Sequence, residues 1–194
     1  MKRDTLKYAV PIAYGHGVSV TPLHLISGFS TLLNGGFKTT PTLLQKNTQA
    51  QGPRVMARET SDAMRDLMRK VVKSGTGKQA DAKGYLVGGK TGTAEKAIRG
   101  GYKKDALIST FIGAFPMDAP RYAVLVMLDE PNGTKATHGY ATAGWTAAPV
   151  LGSIVSNIAP ILHIMPRLEV PPEGKDTHEF LVHVNGEGTQ LEPL

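Results

Sequence analysis

The chain has 194 residues, 41% of them hydrophobic, and no cysteine. That allows one domain with a real core and excludes disulfides, thiol catalysis and Cys-ligated metal sites. Charge is uneven, with 20 Lys and Arg against 10 Asp and Glu in residues 1–166, and 2 against 6 in residues 167–194. The basic residues are scattered and no nucleic-acid motif accompanies them, so they read as solvated surface and no nucleic-acid partner is expected. No run reaches the roughly 20 apolar residues of a membrane span. Met1-Lys2-Arg3 leads into a polar stretch without an apolar signal core, so any export signal or anchor is expected outside this chain.

In chain order, Thr21-Pro22 offers a capping hydroxyl followed by proline at a first helical position. Leu25, Phe29, Leu32 and Leu33 follow at helical spacing and Gly35-Gly36 closes the segment. A second helix is predicted from Thr60 or Ser61, with Met64, Leu67, Met68, Val71 and Val72 as its apolar stripe and Gly75 and Gly77 as its end. Strands are predicted over Leu86–Ala94, Leu107–Phe115 and Tyr122–Leu128, the last two joined as a hairpin by Pro116–Pro120. Leu107–Phe115 is apolar on both faces and should be central. Gly100-Gly101-Tyr102 reads as a mobile loop. A final helix is predicted over Thr146–Leu162, with Trp145 packing at its start, and Phe180–Val184 as a short strand in the acidic tail. The fold class is therefore α+β, an antiparallel β-sheet flanked by helices, with no internal repeat.

The chemistry concentrates in Gly88-Gly89-Lys90-Thr91-Gly92-Thr93-Ala94. In an extended segment side chains alternate, placing Thr91 and Thr93 on one face and Lys90 on the other. Glycines remove Cβ atoms from a backbone that another molecule can then approach. Hydroxyls, free N–H groups and a cation on one edge suit a carboxylate and a developing oxyanion. A Lys-[Ser/Thr]-Gly-[Ser/Thr] string arises by chance in about one chain in a hundred of this length, and alone it reads equally as a turn with a surface lysine.

The neighbouring segments decide between these readings. Tyr14-Gly15-His16-Gly17-Val18-Ser19-Val20-Thr21-Pro22-Leu23 resembles the segment ahead of the third active-site motif in class B penicillin-binding proteins. Gly89–Ala94 resembles that motif, the Lys-Thr-Gly signature of acyl-serine transferases. Phe111–Pro116, Pro120-Arg121-Tyr122 and Asp129-Glu130-Pro131 resemble the two strands that follow it, and Ala147-Ala148-Pro149-Val150 the start of the C-terminal helix. The Asp-Glu-Pro ending points to the division-specific, FtsI-type branch. The resemblance covers residues 8–166 in order and implies a penicillin-binding/β-lactamase-like transpeptidase fold.

That family acylates a serine in Ser-x-x-Lys and uses a second motif, Ser-x-Asn. Serines 19, 27, 30, 61, 74, 109, 153 and 156 match neither. The resemblance therefore implies the C-terminal portion of a transpeptidase domain over residues 1–166, with 167–194 as an acidic C-terminal tail. An N-terminal portion of the same protein would carry both serine motifs. It implies that Thr91 and Thr93 hydroxyls hold a stem peptide's terminal carboxylate with Gly92 between them, and that the Thr93 N–H is an oxyanion donor. Lys90 would supply positive potential and bond the Ser-x-Asn serine. Implied partners are peptidoglycan stem peptides, β-lactam antibiotics and divisome proteins, at the periplasmic face of the bacterial inner membrane, with no metal or organic cofactor. Alternatives are a β-lactamase or β-lactam sensor of the same fold, and a non-catalytic interaction module of the division machinery.

Among other candidates, histidines 16, 24, 138, 163, 178 and 183 lack metal-ligand spacing, and His16 lies nearest the expected cleft. Glu95 and Lys96 read as a solvated pair of charges.

Overall fold

The computed structural model describes residues 18–44, 52–98 and 101–167. Helix α1 spans Pro22–Leu33, and Thr21 caps it by accepting the His24 backbone N–H at 3.2 Å. The helix ends where Gly35 and Gly36 adopt φ of +88° and +83°, a conformation that costs glycine no Cβ clash. Helix α2 spans Arg58–Ser74, starting ahead of the expected Thr60 or Ser61. Ser61 lies within its first turn. Its fully buried hydroxyl donates to the Leu32 carbonyl at 2.7 Å and accepts the Gly35 N–H at 3.0 Å. One side chain thus satisfies two polar groups at the end of α1 and ties the helices together.

Three strands follow: β1 (Gly88–Ile98), β2 (Gly101–Phe115) and β3 (Tyr122–Asp129). They form an antiparallel sheet in the order β1-β2-β3, with β2 central, as its two apolar faces require. Strand β1 starts later than expected because Leu86 has φ +47°, outside the extended region. The expected loop at Gly100-Gly101-Tyr102 needs correction: Gly101 and Tyr102 pair with Ile98 and Ala97, so they belong to a long hairpin. Gly100 lies outside the described residues. Helix α3 covers Ala147–Ile158 and is shorter than expected. Pro160 has no N–H to continue the ladder, and the chain runs on in hydrogen-bonded turns to Ile164.

The core lies on both faces of the sheet. On one, Phe111, Phe115 and Val126 pack with Val72, Val87 and the α3 residues Leu151 and Val155. On the other, Ile112 and Ala114 pack with Phe29 and Leu33 of α1 and with Met117, covered by Met64 and Met68 of α2. Helix α2 therefore serves both faces. Its expected stripe holds except at Leu67, which is half exposed. The Phe180–Val184 strand and nearly all of the acidic tail lie outside the described residues.

Candidate functional site

Which backbone groups of β1 are free follows from the ladder. The Glu130 N–H donates to the Leu107 carbonyl at 2.8 Å, so the backbone of Leu107 faces β3. Antiparallel pairing alternates, and the β1–β2 register is continuous from Gly88 to Glu95. Lys90, Gly92 and Ala94 therefore bond to β2, while Thr91 and Thr93 turn N–H and C=O to the outer edge. No described strand pairs with that edge. The Thr91 carbonyl accordingly accepts from Lys90 Nζ at 2.8 Å.

The Thr91 and Thr93 side chains share the α3 face of the sheet, opposite Phe111 and Ser109 in register. Thr93 Oγ1 accepts the Ala143 N–H at 3.0 Å. Buried Ser109 donates to the Ala141 carbonyl at 2.6 Å, fixing the same loop to the sheet. Thr91 Oγ1 lies 2.9 Å from Thr76 Oγ1. An open cleft of about 440 Å³ results, lined by Thr76, Thr91, Thr93, Thr142 and Trp145 among others.

Lys90 is not in that lining. It leaves from the other face, is exposed, and reaches the strand edge only through its Thr91 bond. The motif's glycines also divide. Gly88 and Gly89 are buried, and the close approach to them comes from within the fold: a Cβ at Gly88 would strike Met117, and one at Gly89 the Ile112 carbonyl. Only Gly92 opens outward, with nothing nearer than 3.9 Å to a Cβ placed there.

Lys96 does not pair with Glu95. A register shift falls between them, turning Lys96 Nζ to Asp129 at 2.9 Å and Glu130 at 3.1 Å, while Lys103 meets Glu130 at 3.2 Å. Hydrogen bonds to Asp129 and Glu130 raise the Lys96 pKa, and those from Lys96 and Lys103 lower that of Glu130.

Trp145 lies just ahead of α3, as expected, stacked on Tyr140 at 5.6 Å with His138 edge-on at 5.3 Å. This aromatic group at the cleft was not anticipated from sequence, nor was Thr76, whose flanking glycines read as a helix stop. A hydroxyl between two glycines just ahead of the motif strand was the available signal. His16 lies outside the described residues. Among the described residues no three His, Asp or Glu side chains gather as metal ligands, and no helix is long and apolar enough to cross a membrane.

Residues 4–155 match the penicillin binding protein transpeptidase domain. The chain is 40% identical over 170 residues to the probable peptidoglycan D,D-transpeptidase FtsI of Caulobacter vibrioides, covering 81% of this chain and 29% of that protein. It is 38% identical to the stage V sporulation protein D of Bacillus subtilis, over 80% of this chain and 25% of that one. The transpeptidase domain of Burkholderia pseudomallei penicillin-binding protein 3 superposes with a TM-score of 0.71 at 32% identity, covering 81% of this chain and 47% of the solved one. The chain thus spans less than a third of the length of these two curated relatives. By the domain match and these relatives, the chain belongs to the penicillin-binding protein transpeptidase domain family.

Proposed function

We propose that this chain is the C-terminal part of a serine D,D-transpeptidase that cross-links peptidoglycan stem peptides during septal wall synthesis and binds β-lactams at the same groups. The observation that carries the reading is the outer edge of β1, where the Thr91 and Thr93 N–H groups have no partner strand among the described residues and stand above two cleft-lining hydroxyls. The hydroxyls suit the substrate's terminal carboxylate. The Thr93 N–H suits the oxyanion of a tetrahedral intermediate, where losing one donor typically costs about 3 kcal/mol. Lys90 supplies positive potential at the edge and a donor for the Ser-x-Asn serine.

None of the chain's serines stands in Ser-x-x-Lys, so the nucleophile is assigned to a preceding part of the same protein. Its hydroxyl oxygen bonds to the carbonyl carbon of the penultimate D-alanine. The bond to the terminal D-alanine nitrogen breaks, and the serine's proton leaves with that amine. A neighbouring stem peptide's amine then attacks the ester, forming the cross-link and returning a proton to the serine. No step calls for a metal or organic cofactor. The FtsI-named relative supports a place among division proteins at the periplasmic face of the inner membrane, anchored by a segment outside this chain.

Fluorescent penicillin labelling with intact-mass analysis tests this reading. The 194-residue chain alone should gain no covalent adduct. The chain joined to its preceding coding segment should gain one, on a serine outside these residues. An adduct on the lone chain would overturn the placement of the nucleophile, and no adduct on the joined protein would overturn the transpeptidase reading.

A further inference from the structure

Both cleft-lining hydroxyls of β1 have a partner behind them, and the partners differ in kind. Thr93 Oγ1 accepts a backbone N–H, that of buried Ala143, at 3.0 Å. With an acceptor site filled by a donor that cannot rotate away, the hydroxyl's single proton is left to point elsewhere. Among the described residues no N–H bonds the Thr91 hydroxyl. Its neighbour is the side-chain hydroxyl of Thr76 at 2.9 Å, from the loop that ends α2.

That loop is held closely. A Cβ at Gly75 would come within 2.8 Å of the Val71 carbonyl. One at Gly77 would lie 3.0 Å from the Phe111 ring, and one at Gly144 2.7 Å from the Thr76 carbonyl. Glycines on either side of Thr76 and across from it let its backbone settle between β2 and the 141–145 loop. The Gly77 N–H also bonds the Val71 carbonyl at 3.1 Å. The Thr76 backbone is thereby held on a constrained loop, with its exposed hydroxyl against that of Thr91.

We infer that Thr76 is a positioning residue that donates its hydroxyl proton to Thr91 Oγ1, leaving the Thr91 proton for the carboxylate of a stem peptide or β-lactam. The inference rests on the transpeptidase reading and adds to it a residue outside the Lys-Thr-Gly-Thr motif. A carboxylate only accepts hydrogen bonds. A Thr91 hydroxyl whose proton turned back toward Thr76 would instead present its lone pairs to that anion. A Thr76 hydroxyl that donates holds that proton outward, the role the Ala143 N–H plays for Thr93.

The test measures acylation of the joined protein by a β-lactam with a free carboxylate and by its methyl ester, in wild type, Thr76→Val and Thr76→Ser. Valine keeps the shape without the hydroxyl. It should slow acylation by the free acid about tenfold, the size of one lost hydrogen bond to a charged group, and leave the slower reaction of the ester unchanged. Serine restores the hydroxyl and should restore the rate with the free acid. An equal fall for acid and ester in the Val variant would assign Thr76 a merely structural role and overturn the inference. An unchanged rate with the acid would overturn it too. A wild-type joined protein that reacts with neither compound would overturn the transpeptidase reading itself, a result distinct from both.

Discussion

Gly89 sits in β1 where a side chain has no room. A Cβ there would meet the Ile112 carbonyl, the Phe111 ring at 2.7 Å and the Gly113 Cα at 2.9 Å. Two of those three neighbours are backbone in the centre of the sheet and cannot turn aside. Gly92, three residues on, is exposed, and its nearest neighbour would be the Thr110 carbonyl at 3.9 Å. Gly89→Ala should therefore destabilise the joined protein by about 1–3 kcal/mol, the range for overpacking a filled core. Gly92→Ala should stay within about 0.5 kcal/mol of wild type, as open surface changes do. Chemical denaturation of both variants checks this, and equal stability of the two would refute the assignment of Gly89 to internal packing. The contrast separates glycines that belong to the fold from the one that leaves the outer face of the motif open.

The β1–β2 hairpin extends past the end of β3, and the shift at Glu95/Lys96 turns its lysine toward that end. Lys96 and Lys103 clasp Asp129 and Glu130, so the cluster anchors the hairpin a few residues beyond Thr93. Its pH window follows from the two shifts. Glu130 has a lowered pKa in the fold, so its contribution is present above the ordinary carboxylate value of 4.5 and is lost as pH falls through the lowered one. Lys96 has a raised pKa, so its contribution is present below 10.5 and is lost as pH rises through the raised value. Lys96→Met should accordingly lose less thermal stability than wild type when pH drops from 7 to well below 4.5. The difference should shrink in high salt, which screens exposed pairs. Melting curves across pH at two ionic strengths measure it, and parallel wild-type and variant profiles would show that the cluster does not anchor the hairpin.

At the scale of the whole molecule, the patterns of the sequence located the three α-helices and the three strands, because each buries a stripe or face whose period shows in the residues, but not the single 3-10 turn at Lys78–Ala80, which is too short to show one. What stayed hidden was long-range. Ser61 reads as a place where a helix starts until its hydroxyl is seen spanning two helices, and Lys96 reads with Glu95 as a solvated pair of charges until the register shift turns it to Asp129 and Glu130. Thr76 meets Thr91 only because a glycine-flanked loop folds back on the strand. The same ladder logic that frees the β1 edge also leaves the far side of β3 without a partner strand among the described residues, with Ala123, Leu125 and Met127 turning their backbone groups away from β2. That edge is uncharged from Tyr122 to Leu128, and α1 adds exposed Leu23 and Leu25, with Val18 and Val20 just ahead of it. An unpaired apolar edge of this kind templates association. The lone 194-residue chain should self-associate in sedimentation velocity, while the chain joined to its preceding segment stays monomeric. Met127→Lys, at a position 46% exposed, should reduce self-association of the lone chain by placing a charge on the edge without disturbing the buried face. A lone chain that is monomeric and unfolds cooperatively would instead favour an independent interaction module and count against a fold completed by residues outside this chain.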